Sequence, residues 1–304
     1  MPLTDLPSTP RPVTLRLLLA LGVVAVSFAA ILIRVAAAPA LALAFWRSAG
    51  GALVLLPFAA RARVRPTAAQ RRTLVLGGAF LAVHFALFIG AFSYTSVASA
   101  VVFTTTAPLF VGLGTWLVLG RPPSRRTWLG IGISVLGAVI VAVGDAGQGA
   151  TGSNPLLGDA MALAGAAAGS GYLLIGERSR QTLAVTTYGA WVYGTAAVVL
   201  AVAAAGFGAP LVGFDTVTWL AILGLIVGPQ LLGHTVFNQV MGAVPATIVA
   251  VVVLSEPVAS SLLALALLGE VPPPLLAVGA PVILAGVFLA ATGERAVTPV
   301  DVVM

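Results

Sequence analysis

Hydrophobic residues dominate the chain in ten long stretches separated by short polar segments. Each stretch holds about 20 mostly apolar residues, the length that an α-helix needs to cross the hydrocarbon core of a bilayer. Barrel strands would instead alternate apolar and polar positions within segments of roughly ten residues. The pattern therefore predicts an all-α integral membrane protein with ten transmembrane helices, near 15–36, 40–60, 73–93, 97–119, 128–144, 157–178, 186–206, 216–239, 245–268 and 275–292.

One helical hairpin is written twice along the chain, first from Thr104 to Asp145 and again from Leu254 to Glu294. Upstream of the hairpins a shift of 150 positions places His84 on His234. Self-similarity at a fixed spacing indicates a duplication. We predict a five-helix repeat over 1–144, a linking loop over 145–156 and a second five-helix repeat over 157–304. Within the hairpins a shift of 149 positions superposes Pro108 on Pro257, Gly120 on Gly269, Pro123 on Pro272, Gly130 on Gly279 and Gly137 on Gly286.

The arginines fall at alternate ends of the predicted helices. With the N-terminus inside, 13 of the 15 basic residues lie in cytoplasmic segments, and only Arg34 and Arg47 do not. The positive-inside rule then predicts that both termini are cytoplasmic. Five spans per repeat force the second copy to enter the membrane upside down. Inverted repeats are a common transporter architecture, with the substrate site near the midplane.

Composition excludes several other classes of protein. Of the 304 residues 60% are hydrophobic and 8% charged, against roughly 25% charged in a soluble domain. The net charge of +6 reflects topology, so a nucleic-acid partner is not expected. The chain has no cysteine, and it lacks the P-loop, HExxH and GxSxG motifs. We therefore expect no enzyme activity, no cofactor and no metal site.

The first apolar stretch is followed by VAAAPA, which looks like the cleavage site of a secretory signal. However, Arg34 stands just before these small residues and nine more spans follow. A signal peptide lacks these features, so we expect an uncleaved first helix.

Three segments carry a family resemblance: FWRSAGGALVLLP, YTSVASAVVFTTTAPLF and the LGE that precedes the second hairpin turn. Together with the tandem halves, they resemble the EamA type of the drug/metabolite transporter superfamily over nearly the whole chain. The resemblance implies a ten-helix exporter of the bacterial inner membrane that moves small metabolites, amino acids among them. The family often has a glutamate after the glycine of the first hairpin, where this chain has Arg121, whereas Glu270 keeps it in the second. This departure argues against a symmetric role for the pair.

Polar residues at membrane depth are candidates for substrate binding, because each is costly unless it is paired or faces water. His84 and His234 either bind substrate and change protonation, or donate as neutral rings to a neighbouring helix. A deep carboxyl group favours its protonated form, so Glu256 is a candidate for proton coupling. Its alternative is a hydrogen bond to a carbonyl freed by Pro257. Arg47 either binds a substrate carboxylate, pairs with an acidic group or reaches the headgroups.

Further candidates lie in the second half of the chain. Tyr172 and Trp191 either line a pocket for an apolar or aromatic substrate or belong to the aromatic belt at the interface. Asn238, followed by Gln239, supplies neutral donors and acceptors or caps the end of helix eight. Asp159 is expected at the membrane interface.

Prolines at equivalent positions are candidates for gating. Pro108 and Pro257 are expected to break helices four and nine beside a wet cavity, where freed backbone groups are tolerated. Pro229 and Pro281 are expected to break helices eight and ten in the same way. Glu177, at the end of helix six, is expected at the interface.

The repeat, the charge distribution and the family resemblance together predict a secondary transporter that works by alternating access. The resemblance implies that it exports amino acids or related small metabolites. The driving force would be the membrane potential or a proton gradient. A carrier of drugs, nucleobases or sugar derivatives on the same fold is the alternative, and a channel-like facilitator is a third. The expected partners are a small-molecule substrate and the lipid bilayer, and a monomer is compatible with the sequence.

Overall fold

A computed structural model describes residues 12–95, 100, 103–104, 106–146, 153–268 and 274–293. Throughout these residues the regular structure is helical, without a β-strand. The helices are α1 (Pro12–Val35), α2 (Ala40–Ala60), α3 (Ala68–Ala91), α4 (Ala107–Leu117), α5 (Arg125–Ala146), α6 (Pro155–Arg180), α7 (Val185–Gly206), α8 (Thr216–Val240), α9 (Ala246–Val253), α10 (Glu256–Leu268) and α11 (Leu276–Ala291).

Six helical stretches in the described part of the chain are long and apolar enough to cross a membrane. They are α1, α2, α3, α7, α8 and the stretch formed by α9 and α10. Two shorter apolar helices, α4 and α11, have 11 and 16 residues. The protein is therefore an all-helical, multi-pass membrane protein, and the full set of ten spans stays a prediction.

Polar residues mark the helix ends. Thr67 and Gln70 form a capping box at the start of α3, in which each side chain accepts a hydrogen bond from the other residue's backbone N–H. Asp215 caps α8, since its carboxylate accepts the Thr218 N–H at 2.7 Å. That backbone hydrogen bond lowers the pKa of the exposed Asp215 carboxyl. Gly120 follows α4 with a φ of 66°, a left-handed conformation that favours glycine.

Helix α8 changes its winding in the middle. The stretch Ile226–His234 is π-helical and contains Pro229. Both the backbone N–H and the hydroxyl of Thr235 donate to the carbonyl oxygen of Gln230, five residues earlier. The wider turn keeps the helix continuous past the proline and changes which side chains face inward. Such π-helical turns occur frequently at functional sites.

The other prolines behave differently from one another. A break at Leu254 and Ser255 separates α9 from α10, and Pro257 lies in the first turn of α10. Pro108 lies in the first turn of α4, at the equivalent position of the first repeat. Helix α11, in contrast, runs through Pro281 without interruption, so the expected break there is wrong.

Helices α5 and α11 approach each other closely through glycines. A Cβ added to Gly130 would lie 2.6 Å from the carbonyl oxygen of Gly286. A Cβ added to Gly137 would lie 2.9 Å from that of Gly279. Small residues permit such backbone contact between membrane helices. Since the repeat superposes Gly130 on Gly279 and Gly137 on Gly286, exchanging the two copies turns one contact into the other.

The same exchange relates other contacts. The Ser134 hydroxyl donates to the carbonyl oxygen of Ile283 at 3.3 Å, and these residues are 149 positions apart, so each is the other's counterpart. Helix α3 packs on α6 as α8 packs on α1, and α4 packs on α6 as α10 packs on α1. Equivalent positions of the two matching stretches therefore make equivalent contacts.

Candidate functional site

A cavity of about 160 Å³ lies between the two halves. It is lined by α1, α3, α4, α6, α8, α9 and α10, with one residue from α2. Both copies of the repeat therefore contribute to its wall. The ionisable residues on the wall are Arg47, His84, Tyr172, His234 and Glu256, and aromatic rings on it are Phe85, Phe88, Phe92 and Phe237.

Arg47 reaches the cavity from the second turn of α2. Its side chain is only 2% exposed, so the interpretation that it extends to the headgroups is wrong. Its Nε donates to Gln230 Oε1 at 3.0 Å. The guanidinium carbon lies 3.9 Å from the centre of the Phe85 ring, which is a cation–π contact. These two contacts fix both the plane and the rotation of the guanidinium group.

The two histidines meet at the same phenylalanine. His234 contacts the Phe85 ring edge-on, with centroids 5.3 Å apart, and His84 contacts Phe85 at 5.4 Å. The Nδ1 atom of His84 lies 2.8 Å from the carbonyl oxygen of Gly165. A carbonyl can only accept, so Nδ1 carries the proton and Nε2 of the neutral ring is an acceptor. Nδ1 of His84 therefore donates to the neighbouring helix α6, as one of the two interpretations of this histidine expected, and the ring still lines the cavity.

A buried polar network holds Tyr172 in place. Its hydroxyl donates to Asn238 Oδ1 at 2.7 Å, and Asn238 Nδ2 donates to the Tyr193 hydroxyl at 2.9 Å. Tyr193 is in turn 3.1 Å from the hydroxyl of Thr235. Asn238 is fully buried and therefore does not cap an exposed helix end. It lies behind the cavity wall and positions Tyr172, which faces the cavity.

Two predicted site residues have other positions. Trp191 is 37% exposed on α7 and does not line the cavity, unlike Tyr172. Gln239 accepts a hydrogen bond from Arg180 Nη2 at 3.3 Å at the end of α6. The pocket interpretation therefore holds for Tyr172 and not for Trp191.

Glu256 is half-buried at the start of α10 and lines the cavity with Pro257 and Ser260. The break after α9 places Glu256 in the first turn of α10. A carboxylate at this position is stabilised by the helix dipole. Pro108 lines the same cavity from α4. The carboxyl group therefore faces the positively charged Arg47 and the two histidines across one shared space.

The two ends of the cavity differ in exposure. Phe92, Thr104 and Ser260 at one end are half-buried. Phe237 and Ala250 at the other end are buried. The cavity wall is therefore more exposed near the end of α3 than near the start of α9.

An ionic contact lies at the start of α9. Glu177 lies near the end of α6 and is 2% exposed, so its carboxyl group is enclosed by the protein. Its Oε1 pairs with the guanidinium of Arg121, and its Oε2 accepts the Ala246 N–H at 2.7 Å. One carboxylate thus joins α6, the connection between α4 and α5, and the first residue of α9. Asp159, by comparison, is half-buried and accepts a hydrogen bond from Thr95 at 2.8 Å.

Sequence reasoning missed Gln230 and the partners of Glu177. A glutamine at membrane depth after a proline was a usable signal for Gln230, because buried amides are costly there. The replacement of the family's glutamate by Arg121 was the signal for a new acidic partner. The counterpart of Arg121, Glu270, lies outside the described residues.

Comparison with known proteins agrees with the fold. The model of the EamA-like transporter family matches the chain twice, over residues 14–143 and 156–292. A solved structure, described as the crystal structure of a protein, superposes on this chain with a TM-score of 0.77 and 20% sequence identity. The superposition covers 93% of this chain and 98% of the solved chain. No curated protein matches the sequence. The predicted resemblance is confirmed: the chain belongs to the EamA-like transporter family and is a multi-pass membrane transporter of small molecules.

Proposed function

We propose that the protein is a secondary transporter of the bacterial inner membrane that exports amino acids or related small metabolites by alternating access. The observation that carries the proposal is the cavity, which both halves line and whose wall is more exposed near the end of α3 than near the start of α9. A binding site near the centre with unequal ends is what a carrier in one of its two access states requires. A channel-like facilitator would instead need a path open at both ends.

The repeats proposed over 1–144 and 157–304, joined by the loop 145–156, would have opposite orientations in the membrane. The exchange-related contacts of α5 with α11 support two equivalent halves. The arginine distribution supports the inversion, because the first hairpin turn carries Arg121, Arg125 and Arg126 and its counterpart carries none.

Reporter fusions test this topology. Fusions after Arg63, Arg125 and Arg180 should all report cytoplasm, because arginines accumulate on that side. A fusion in the turn after Glu270 should report the opposite face. Cytoplasmic activity at that turn would contradict the inverted arrangement.

Within this proposal the cavity residues have separate roles. His84, His234 and Tyr172 contact the substrate, and Asn238 supports Tyr172 from behind. Arg47 supplies positive charge, and Glu256 supplies a carboxyl group for proton coupling. Trp191 is left out, because its side chain is exposed on α7.

Gating would combine Pro108 and Pro257 with the ionic contact at the start of α9. Pro108 and Pro257 begin helices that line the cavity, so each helix can swing without breaking a backbone hydrogen bond within it. The contact of Glu177 with Arg121 and Ala246 would hold the arginine-rich end closed until these helices move. The structure would then represent the outward-facing state.

The function is tested by counterflow into liposomes that contain the purified protein. A panel of labelled amino acids, nucleobases, sugar derivatives and drugs distinguishes the substrate classes. We expect exchange of amino acids only, with saturable kinetics. Selective exchange of another class would favour the alternative carrier, and unsaturable flux of many solutes would favour a facilitator.

A further inference from the structure

Two hydrogen-bond donors without acceptors belong to one bonded pair at the cavity: Arg47 is part of the cavity wall, and Gln230 is bonded to Arg47 behind that wall. Arg47 and Gln230 are 2% and 0% exposed and are joined by the bond from Arg47 Nε to Gln230 Oε1. Arg47 Nη2 and Gln230 Nε2 have no hydrogen-bond partner within the described part of the chain. A buried donor without a partner costs about 1–3 kcal/mol, and more when it is charged. Such a pair indicates a ligand that supplies the missing acceptors.

The donors are held in advance of any ligand. The bond to Gln230 and the ring of Phe85 fix the guanidinium from two sides. Gln230 itself is placed by the π-helical stretch, where Thr235 holds its carbonyl with two hydrogen bonds. A planar guanidinium next to an amide donor matches the two oxygens of a carboxylate. Little conformational entropy is lost when such a fixed pair binds its ligand.

The opposite charge stands on the same cavity. Glu256 lines the same cavity wall as Arg47. Among the described residues the two form no direct ion pair, although both face the cavity. A ligand with a positive and a negative group can therefore satisfy both side chains at once. A ligand with only one charge leaves the other side chain unpaired, which is costly in a low dielectric.

The rest of the wall is apolar. Phe88, Leu173 and Phe237 line the space beside the charged residues. The cavity of about 160 Å³ is similar to the apolar cavity of about 150 Å³ that binds benzene in another protein. A branched or aromatic side chain therefore fits beside the charged groups.

We propose that Arg47 and Gln230 bind the carboxylate, and Glu256 the ammonium group, of a zwitterionic amino acid with an apolar side chain. This inference rests on the proposed function, because it names the substrate of the same cavity. It adds Gln230 as a specificity-determining residue and assigns the π-helical stretch the task of presenting it. His84 and His234 then flank the substrate rather than bind its charges.

Two matched sets of solutes test the inference by competition with labelled counterflow. Phenylalanine carries both charges, phenethylamine only the ammonium and hydrocinnamate only the carboxylate. Leucine, isopentylamine and isocaproate form the second set. We expect each amino acid to compete at least about tenfold better than either partner, because each charge-assisted hydrogen bond lost corresponds to a factor of ten or more.

Variants assign the carboxylate to its donors. Gln230→Leu keeps the side-chain volume and removes the amide, so the affinity for phenylalanine should fall about tenfold while that for phenethylamine stays constant. Arg47→Lys keeps the charge but loses the planar fork, and we expect a larger loss for phenylalanine and hydrocinnamate. Arg61→Gln, on an exposed arginine at the end of the same helix, is the control for loss of a cation.

Other outcomes would overturn the inference. Equal competition by phenethylamine and phenylalanine, or an equal loss for both in Gln230→Leu, would show that the donors do not bind a carboxylate. Exchange of nucleobases or sugar derivatives but of neither amino acid would overturn the inference while transport itself stands. If no solute of the wider panel exchanged, the proposed function would fail, and this inference with it.

Discussion

Replacing Glu256 with glutamine should abolish the dependence of substrate affinity and transport on pH. If a proton and the substrate ammonium compete for this carboxylate, lower pH displaces substrate from the wild type. Once the carboxyl group is mostly protonated, the apparent affinity should fall by about tenfold for each further unit of pH. Glutamine keeps the shape and one acceptor oxygen but cannot take up a proton, so binding should be weaker and independent of pH.

The measurement is the apparent affinity for labelled leucine between pH 5 and 8, on about half-unit steps that cover the range in which histidine also titrates. Arg47, His84, His234 and Tyr172 are the other ionisable groups on the same cavity. A wild-type pH profile in Glu256→Gln would assign the pH dependence to the histidines and eliminate the proton step at Glu256.

Asp215→Asn is the matched control, because Asp215 is an exposed carboxylate at the cap of α8. The Thr218 N–H lowers the pKa of Asp215, so this group is ionised throughout the measured range and its contribution is lost only as the pH falls through that lowered pKa. The variant should therefore keep the wild-type profile. A changed profile would mean that folding of α8, rather than the cavity, responds to pH.

Replacing Glu177 with glutamine should open the arginine-rich end of the cavity. The change removes the ion pair that holds the connection between α4 and α5 to α6, and it weakens the bond that holds the first residue of α9 to α6. The Arg121 side chain is 36% exposed, so solvent screening leaves the pair worth about 1–2 kcal/mol, well below a fully buried one. A loss of about 1.4 kcal/mol shifts the equilibrium between the two access states about tenfold.

Thiol labelling measures this shift directly, because the chain has no cysteine of its own. Ala250→Cys places one thiol on the cavity wall within α9. In inside-out vesicles its labelling by an impermeant reagent should be about tenfold faster when Glu177→Gln is added. Arg121→Gln should give the same result from the other side of the pair.

Two exposed neighbours serve as controls for this experiment. Arg178→Gln removes a charge one position from Glu177, and Arg125→Gln removes one at the start of α5, four positions from Arg121. Neither residue is part of the contact. Neither should change the labelling rate. If Glu177→Gln labels at the wild-type rate, the contact stabilises the fold but does not control access.

Much of the helical layout was predictable because it depends on local chemistry. Apolar stretches of membrane length marked the helices, and the break before Pro257 followed from a ring that cannot continue the hydrogen bonding of the preceding turn. The same rule failed at Pro281, where α11 is continuous. At Pro229 the rule predicted a break, whereas the helix continues there as a π-helix. A proline removes one hydrogen bond in every case, but the neighbouring helices decide whether the chain breaks, widens its turn or continues.

The candidate site was predictable only in its parts. Arg47, His84, Glu256 and Tyr172 stood out because polar groups at membrane depth are costly, and all four line one cavity. Trp191 carries the same aromatic signal as Tyr172 but points away from the cavity. Which side of a helix faces the cavity depends on helix rotation, and nearly uniform apolar surroundings leave that rotation unmarked in the sequence.

The sequence by itself determined the class of protein, the duplication and the charges available at membrane depth, because these follow from composition, spacing and the cost of burying polar groups. Only the tertiary structure decided which side chains pair with which. Arg47 and Gln230 are 183 positions apart, and Glu177 meets residues 56 positions before it and 69 after it. The physical reason is that helix packing selects these contacts, and packing depends on the complementary shapes of distant surfaces.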